Sequence, residues 1–329
     1  MDLGKVNTNH LKNLILNRIS ANHEDVLVRP KIGEDSAVID FGEFVAVISS
    51  DPITGVQEGM GSLAVNVACN DIAANGAEPI GIQEILLVPP GTAEEEVAAI
   101  VEDIDKAAQE LGIDILGGHT EVTEVVNQPL VCCTAIGKTT KDKFVTSSGA
   151  KIGDDIIVTK WTGLEGTVIL AVDFEKELLA AGVEPELLAE AKALAEQLSV
   201  LPEGLIGAEL GVNAMHDTTE GGLYGSLYEL AEAAEIGFRI DKELLPLHKA
   251  TQAISEALEI DPCSLIGSGM MIITADDGQQ VVKELQENEI KATLIGEIIE
   301  GQRIIETQEG KVELNKAPQD ELWRLLEEK

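Results

Sequence analysis

Basic residues are scarce in this chain. Lys and Arg total 23 against 59 Asp and Glu, a formal net charge of −36 over 329 residues. Binding nucleic acid through its phosphates needs clustered cations, so a nucleic-acid partner is not expected. Attraction to an anionic membrane surface fails on the same ground. Aromatic residues make up 3% of the chain and hydrophobic residues 44%. The core must therefore be built from Ala, Val, Ile and Leu, which serve helices and sheets alike. No uninterrupted apolar run approaches the ~20 residues of a membrane span, and Met1-Asp2-Leu3-Gly4-Lys5 lacks the apolar centre of a signal peptide. The expectation is a cytoplasmic protein with no membrane partner. Cys69, Cys132, Cys133 and Cys263 show no C-x-x-C spacing, and read as small buried thiols in a reducing compartment.

Several nucleotide signatures are also missing. There is no G-x-x-x-x-G-K-[ST] phosphate loop. Gly59-Met60-Gly61-Ser62-Leu63-Ala64 matches G-x-G-x-x-A, but the preceding strand ends near Asp51, too far back for the short turn of a dinucleotide fold. No Ser-His-Asp or Cys-His signature has the context it requires.

What is present is a mixed α/β pattern with a length suited to two domains, at roughly 100 to 200 residues each. Leu11, Leu14, Ile15 and Ile19 follow a helical period. Ser36 to Ile39 and Phe44 to Ser50 read as strands joined by a turn at Asp40-Phe41-Gly42-Glu43. Gly61 to Ala77 reads as an Ala-rich helix, apolar nearly all round and so covered on more than one side. A strand from Pro79 to Val88 follows. Thr92-Ala93-Glu94-Glu95 then has capping-box spacing ahead of a helix ending near Leu111. Ile113 to Leu116 and Leu130 to Ile136 complete the strands of the first half. The polar stretch from Lys138 to Gly149 is an exposed connection, which divides the chain into domains 1–148 and 149–329. The second half repeats the strand and helix mixture, with a strand at Val212 to Met215 and a helix after Glu220.

Acidic residues at the element ends carry the chemistry. Folding the hairpin about residues 40 to 43 sets Asp35 opposite the segment ending in Asp51. Like charges across paired strands are destabilising unless a cation lies between them, and Mg²⁺ takes carboxylate oxygens. Two solvated turn carboxylates are the alternative. Asn70-Asp71 sits inside the apolar helix, where an unpaired charge is costly. Asp71 needs a partner, whether a ligand, a cap or an ion pair. In Leu116-Gly117-Gly118-His119-Thr120-Glu121 the paired glycines read as a turn after the strand that allows close approach to a ligand or another chain and would display His119 and Glu121 at a strand end. A purely structural glycine turn with an exposed His is the alternative. His216-Asp217-Thr218-Thr219-Glu220-Gly221-Gly222 joins a strand to a helix. Asp217 or Thr218 serves there as an N-cap, or an anion lies against the helix amides.

Six segments in order, GEDSAVI (33–39), SSDPITG (49–55), NDIAANGAEP (70–79), GGHTEVT (117–123), GAKIGDDIIVT (149–159) and DTTEGG (217–222), resemble the aminoimidazole-ribonucleotide synthetase (PurM-like) superfamily. Thiamin-monophosphate kinase, selenophosphate synthetase and the hydrogenase maturation factor HypE belong to it, and the wording of DPITG, GGHTEVT and DTTEGG is most similar to HypE-related proteins. The resemblance implies an α/β (α+β) fold of two domains. In the N-terminal one a four-stranded sheet closes a barrel with that of a homodimer mate, and the C-terminal one is α/β. It also implies ATP and Mg²⁺ in the cleft between the domains and phosphoryl transfer that activates an amide or other oxygen of a small-molecule or protein-borne acceptor.

By that resemblance Asp35, Asp51, Asp71 and Glu121 are metal ligands. Gly33, Asp35, Asn70, Gly117, Gly118, Thr120 and Asp217 are cofactor-binding residues. Asp71, His119 and Asp217 are catalytic. Three departures qualify the likeness. No cysteine follows Cys263, so HypE's modification of its own terminal cysteine is not expected. A helix-like segment around Leu11 to Ile19 replaces the glycine-rich N-terminal arm. His119 stands where several members have Asp. The alternative is a non-catalytic nucleotide-binding accessory protein in metalloenzyme maturation.

Overall fold

The protein is described here from a computed structural model, which covers residues 3–54 and 59–327. Gly55 of the SSDPITG segment lies outside the described residues. Two sheets organise the chain. The first contains β1 (Val26–Val28), β2 (Ala37–Asp40), β3 (Phe44–Ile53), β4 (Glu78–Val88), β5 (Asp114–Val122) and β6 (Leu130–Thr140), in the order β1-β2-β3-β6-β4-β5. Its broad part is the four-strand set β3, β6, β4 and β5, which the short strands β1 and β2 widen to six.

The β2–β3 hairpin turns where the sequence predicts. Gly42 takes the left-handed φ of +91° that this turn needs, its N–H donates to Asp40 Oδ1 at 2.8 Å, and Ala37 pairs with Ile48. The helices of this half are α1 (Thr8–His10), α2 (Met60–Ala74) and α3 (Glu94–Leu111). Beyond α1 the backbone continues in wider turns over Leu11–Ile15 and a tighter one over Leu16–Arg18, and buries none of its residues. The apolar period there forms helix that is only partly covered by the described residues, and Leu14, Ile15 and Ile19 stay 40%, 45% and 50% exposed.

Every residue of α2 except Ser62 is buried. Small residues make this possible by allowing backbones close together. A Cβ on Gly61 would lie 2.6 Å from Ile100 O of α3, and one on Gly137 of β6 would lie 2.2 Å from Ile72 Cγ2. The capping box at Thr92 does not form: Ala93 is the N-cap of α3, and Thr92 donates instead to Pro89 O at 2.8 Å.

The larger revision concerns β5. The predicted strand at 113–116 does not end in a glycine turn but runs straight through Gly117 and Gly118 to Val122, parallel to β4. A bulge at Leu116 shifts the register, so that Ile82 pairs with Ile115 and Gln83 with Gly117. A Cβ on Gly118 would lie 2.0 Å from Glu84 O. The glycines therefore permit close approach of β4, and all nine residues of this edge strand are exposed.

The second sheet runs β13-β12-β9-β11-β7-β10-β8, from β7 (Asp155–Thr159), β8 (Ala214–Asp217), β9 (Gly237–Asp241), β10 (Met271–Ala275), β11 (Ala292–Ile299), β12 (Arg303–Thr307) and β13 (Gly310–Glu313). Around it lie α4 (Leu164–Asp173), α5 (Glu175–Ala180), α6 (Pro185–Ala193), α7 (Leu201–Leu210), α8 (Gly222–Ala234), α9 (Lys249–Leu258), α10 (Gly278–Glu287) and α11 (Glu321–Glu327). The first sheet ends at Thr140 and the second begins at Asp155, on either side of the expected 148/149 boundary. The two halves meet through α2. Ala73 and Ala74 pack in one apolar cluster with Ile157, Met215 and Ile273 of the second sheet, and a Cβ on Gly204 of α7 would lie 2.2 Å from Ala73 O. This contact brings the carboxyl end of β8 against the first domain. Among the described residues no helix is long and apolar enough to cross a membrane.

Candidate functional site

Asp35 precedes β2, Asp71 lies in the last turns of α2 and Asp217 ends β8. Folding brings ligating oxygens of all three within 4.8 Å of one another. Serines of the hairpin fix the first two. Ser36 Oγ donates to Asp71 O at 3.2 Å. Ser49 Oγ lies 3.2 Å from Asp35 O and 3.2 Å from Asp51 Oδ2, and is hydrogen-bonded to Asp71 Oδ2. One hydroxyl proton cannot serve three acceptors, so the array is short of donors.

Asp217 is fully buried, and among the described residues neither of its carboxylate oxygens finds a hydrogen-bond donor. Burial, together with the nearby Asp35 charge, pushes its carboxyl up to about 7. Asp71 is driven well above the usual carboxylate range by burial and then by Asp217, Asp51 and Asp35. Buried like charges with orphaned oxygens are expensive unless a cation or protons join them. A hard divalent cation taking oxygen donors fits this set.

Asp35 also faces a second group. His216 Nδ1 lies 2.8 Å from Asp35 Oδ2 and 3.0 Å from Ser147 Oγ, while its Nε2 lies 3.7 Å from Glu229 Oε2. Burial acts to lower the imidazole pKa, but the charges and hydrogen bonds of Asp35 and Glu229 outweigh it and hold the ring well above its ordinary value. Glu229 in turn meets Lys5 Nζ at 2.8 Å. Burial would raise the Glu229 carboxyl, but Lys5 and His216 hold it down to about 2. No local sequence pattern marks Glu229 or Ser49 as site residues. His216 stood beside Asp217 in the quoted segment without a role.

The remaining expected residues lie in different settings. Asp51 joins the array through Ser49 and the field it exerts on Asp71. Asn70 is turned to another use: its Nδ2 donates to Leu198 O and its Oδ1 accepts from Val200 N, both at 2.8 Å. Its amide ties α2 to the second domain. Gly33, at φ +77°, allows close approach to α8, since a Cβ there would lie 2.2 Å from Glu229 O. Asp217 does not cap α8, whose N-cap is Gly221 without a side-chain bond. Gly117, Gly118 and Thr120 lie along the exposed strand β5. His119 and Glu121 pair with each other there at 3.3 Å and are not among the clustered metal-ligating groups.

Comparison with known proteins gives a consistent picture. The family model described as AIR synthase related protein, N-terminal domain, matches residues 33–139, and the corresponding C-terminal domain matches residues 151–308. A Methanocaldococcus jannaschii protein named for hydrogenase expression/formation is 29% identical over 327 residues, covering 92% of this chain and 94% of its own. Carbamoyl dehydratase HypE of Cupriavidus necator is 28% identical over 254 residues, 74% of this chain and 69% of that protein. Among solved structures, a chain of the HypE–HypF complex superposes with a TM-score of 0.77 at 20% identity, covering 93% of this chain and 99% of that one. HypE in complex with ATP gives 0.69 at 22% identity, covering 96% and 93%. At such identities the structural likeness establishes the fold.

Proposed function

Because this chain belongs to the AIR synthase related family and has its two-domain PurM-like fold, we propose that it binds Mg-ATP between its domains and uses phosphoryl transfer to activate an amide or other oxygen acceptor. The observation that carries this reading is the meeting of Asp35, Asp71 and Asp217, from both domains, with ligating oxygens within 4.8 Å and the Asp217 oxygens buried without a donor among the described residues. Mg²⁺ bound there would spread the phosphate charge and align the transferring group.

The chain's own residues supply the positioning. Asp35, Asp71 and Asp217 would hold the ion, with Asp51 beside them. Ser36 and Ser49 keep Asp71 oriented through its carbonyl and carboxylate oxygens. His216 fixes Asp35 from the second domain, so that the relative placement of the domains sets the geometry of the site. His119 and Glu121, exposed on β5, are proposed for the acceptor side, with Gly117, Gly118 and Thr120 lining the same strand. Exposed Ile80, Ile85 and Leu116 on β4 and β5 support a homodimer in which a second copy covers them. The relatives named carbamoyl dehydratase and the HypE complex with ATP favour a carbamoyl-type amide as acceptor and a maturation protein as partner.

The test is ADP release from ATP with Mg²⁺ across a panel of amide and phosphate acceptors, in wild type and Asp71→Asn. Acceptor-dependent turnover lost in the variant supports the assignment. Tight Mg-ATP binding without turnover on any acceptor would replace it with a nucleotide-binding accessory protein. Absence of binding would end both readings.

A further inference from the structure

Resting on the Mg-ATP reading of this cleft, we propose that Lys5 is a phosphate-binding residue, brought to the site by the N-terminal segment 3–10. Its position is defined. Lys5 Nζ lies 2.8 Å and 3.0 Å from the two carboxylate oxygens of Glu229, and Glu229 lies 3.7 Å from His216, which lies 2.8 Å from Asp35. Two side chains therefore separate this ammonium group from the carboxylate triad. The segment rests on the second domain: Lys5 N donates to Glu220 Oε1, and a Cβ on Gly4 would lie 2.5 Å from the Trp323 ring. Between segment and domain is a cavity of about 450 Å³, lined by Lys5 together with Asn7, Glu220, Gly221, Tyr228 and Glu229.

Charge balance gives this lysine its role. Three carboxylates and a polyphosphate together exceed what a divalent ion neutralises. Among the described residues, the cations within 4.0 Å of Asp35, Asp71, Asp217 or Glu229 are His216 and Lys5. His216 is 1% exposed, with one nitrogen facing Asp35 and the other facing Glu229, so it is enclosed by acids. Lys5 also lies in the field of Glu229, Asp35 and Glu220, but is freer to move. Its side chain is 43% exposed, its flexible four-carbon stem lets the charge swing, and of its three N–H donors Glu229 can accept two. Glu229 keeps His216 as a partner when Lys5 leaves. The ammonium group can thus transfer from Glu229 to an arriving phosphate without stranding a buried charge.

The test is calorimetric titration of the full chain with Mg-AMPPNP and with AMP, for wild type, Lys5→Met, Lys5→Arg and Glu229→Gln. Loss of a charge-assisted bond to phosphate predicts at least about tenfold weaker AMPPNP binding in Lys5→Met. AMP affinity should be unchanged, Lys5→Arg should recover part of the loss, and Glu229→Gln should bind AMPPNP at least as well as wild type. If Lys5 were only a strut holding the segment, Glu229→Gln would weaken AMPPNP binding as much as Lys5→Met, and that result overturns the proposal. Equal AMPPNP affinity in wild type and Lys5→Met also overturns it while leaving the Mg-ATP reading intact. A wild type that binds neither nucleotide removes both.

Discussion

His216 Nδ1 lies 2.8 Å from Asp35 Oδ2, a bond that crosses from the end of β8 in the second domain to the start of the hairpin in the first. Asp35 is consequently shared. It belongs to a triad with Asp71 and Asp217 and to another with His216 and Glu229. Binding of a cation by the first triad competes with the imidazole for the same carboxylate, so ligand binding and domain contact are coupled through one side chain.

The carboxylate array should trade stability for binding. Asp71→Asn removes one of several buried like charges and is expected to raise the melting temperature of the metal-free protein, as relief of a strained functional site commonly does. Mg-dependent nucleotide affinity should fall by at least about tenfold in the same variant and in Asp35→Asn. Thermal melts with and without Mg-nucleotide check both effects, because a ligand that binds the folded state raises its apparent stability. Undiminished affinity in both variants would count against their assigned role.

Asn70 should behave as a tie between domains. Asn70→Ala leaves Leu198 O and Val200 N without their side-chain partner, and unsatisfied buried groups cost about 1–3 kcal/mol each. A destabilisation of about 2–4 kcal/mol in urea unfolding is expected. Asn70→Asp keeps an acceptor for Val200 but sets a buried carboxyl against Leu198 O, and at neutral pH should destabilise at least as much as the alanine variant.

Glu165 gives a pH dependence outside the acidic triad. It is 3% exposed, and burial pushes its carboxyl from 4.5 up to about 7, against the opposing bond from Ser268. The folded chain therefore holds a proton that the unfolded chain has already released, so this group favours folding fully at low pH and its contribution is lost as pH rises from about 4.5 through about 7. At about 1.4 kcal/mol per pKa unit, the swing is on the order of 3 kcal/mol. Glu165→Gln should flatten this part of the stability profile and melt above wild type at pH 8. Urea unfolding at pH 5 and pH 8 measures it, and an unchanged slope in the variant would remove the assignment.

The glycines of β5 should be intolerant for a strand-packing reason. Gly118→Ala sets a Cβ 2.0 Å from Glu84 O, a clash that only backbone movement relieves. Loss of β4–β5 pairing is expected, seen as faster amide exchange along residues 114–122, whereas Gly91→Ala, in open space though at φ +93°, should leave that exchange unchanged.

Much of this was legible in the residues. The β2–β3 turn, the all-round burial of α2 and the need of Asp71 for a partner follow from local rules: a glycine where the turn needs positive φ, apolar residues on every face of a helix, and a carboxylate where solvation is poor. Such rules act over a few residues, so sequence carries them. The capping box at Thr92 failed because the helix begins one residue later, with Ala93 as its N-cap, while the Thr92 hydroxyl donates to Pro89 O. The glycine turn at 117–118 failed because glycine permits close approach without saying what approaches, and here it was β4.

Composition and order of residues settled that this is an acidic α/β chain with carboxylates at the ends of its elements, since charge and periodicity are properties of the string itself. That Asp217 joins Asp35 and Asp71, that His216 faces Asp35, and that Asn70 serves the domain junction were decided only when α2 packed against both sheets. Those contacts join residues more than a hundred positions apart, and no local preference of the chain records them.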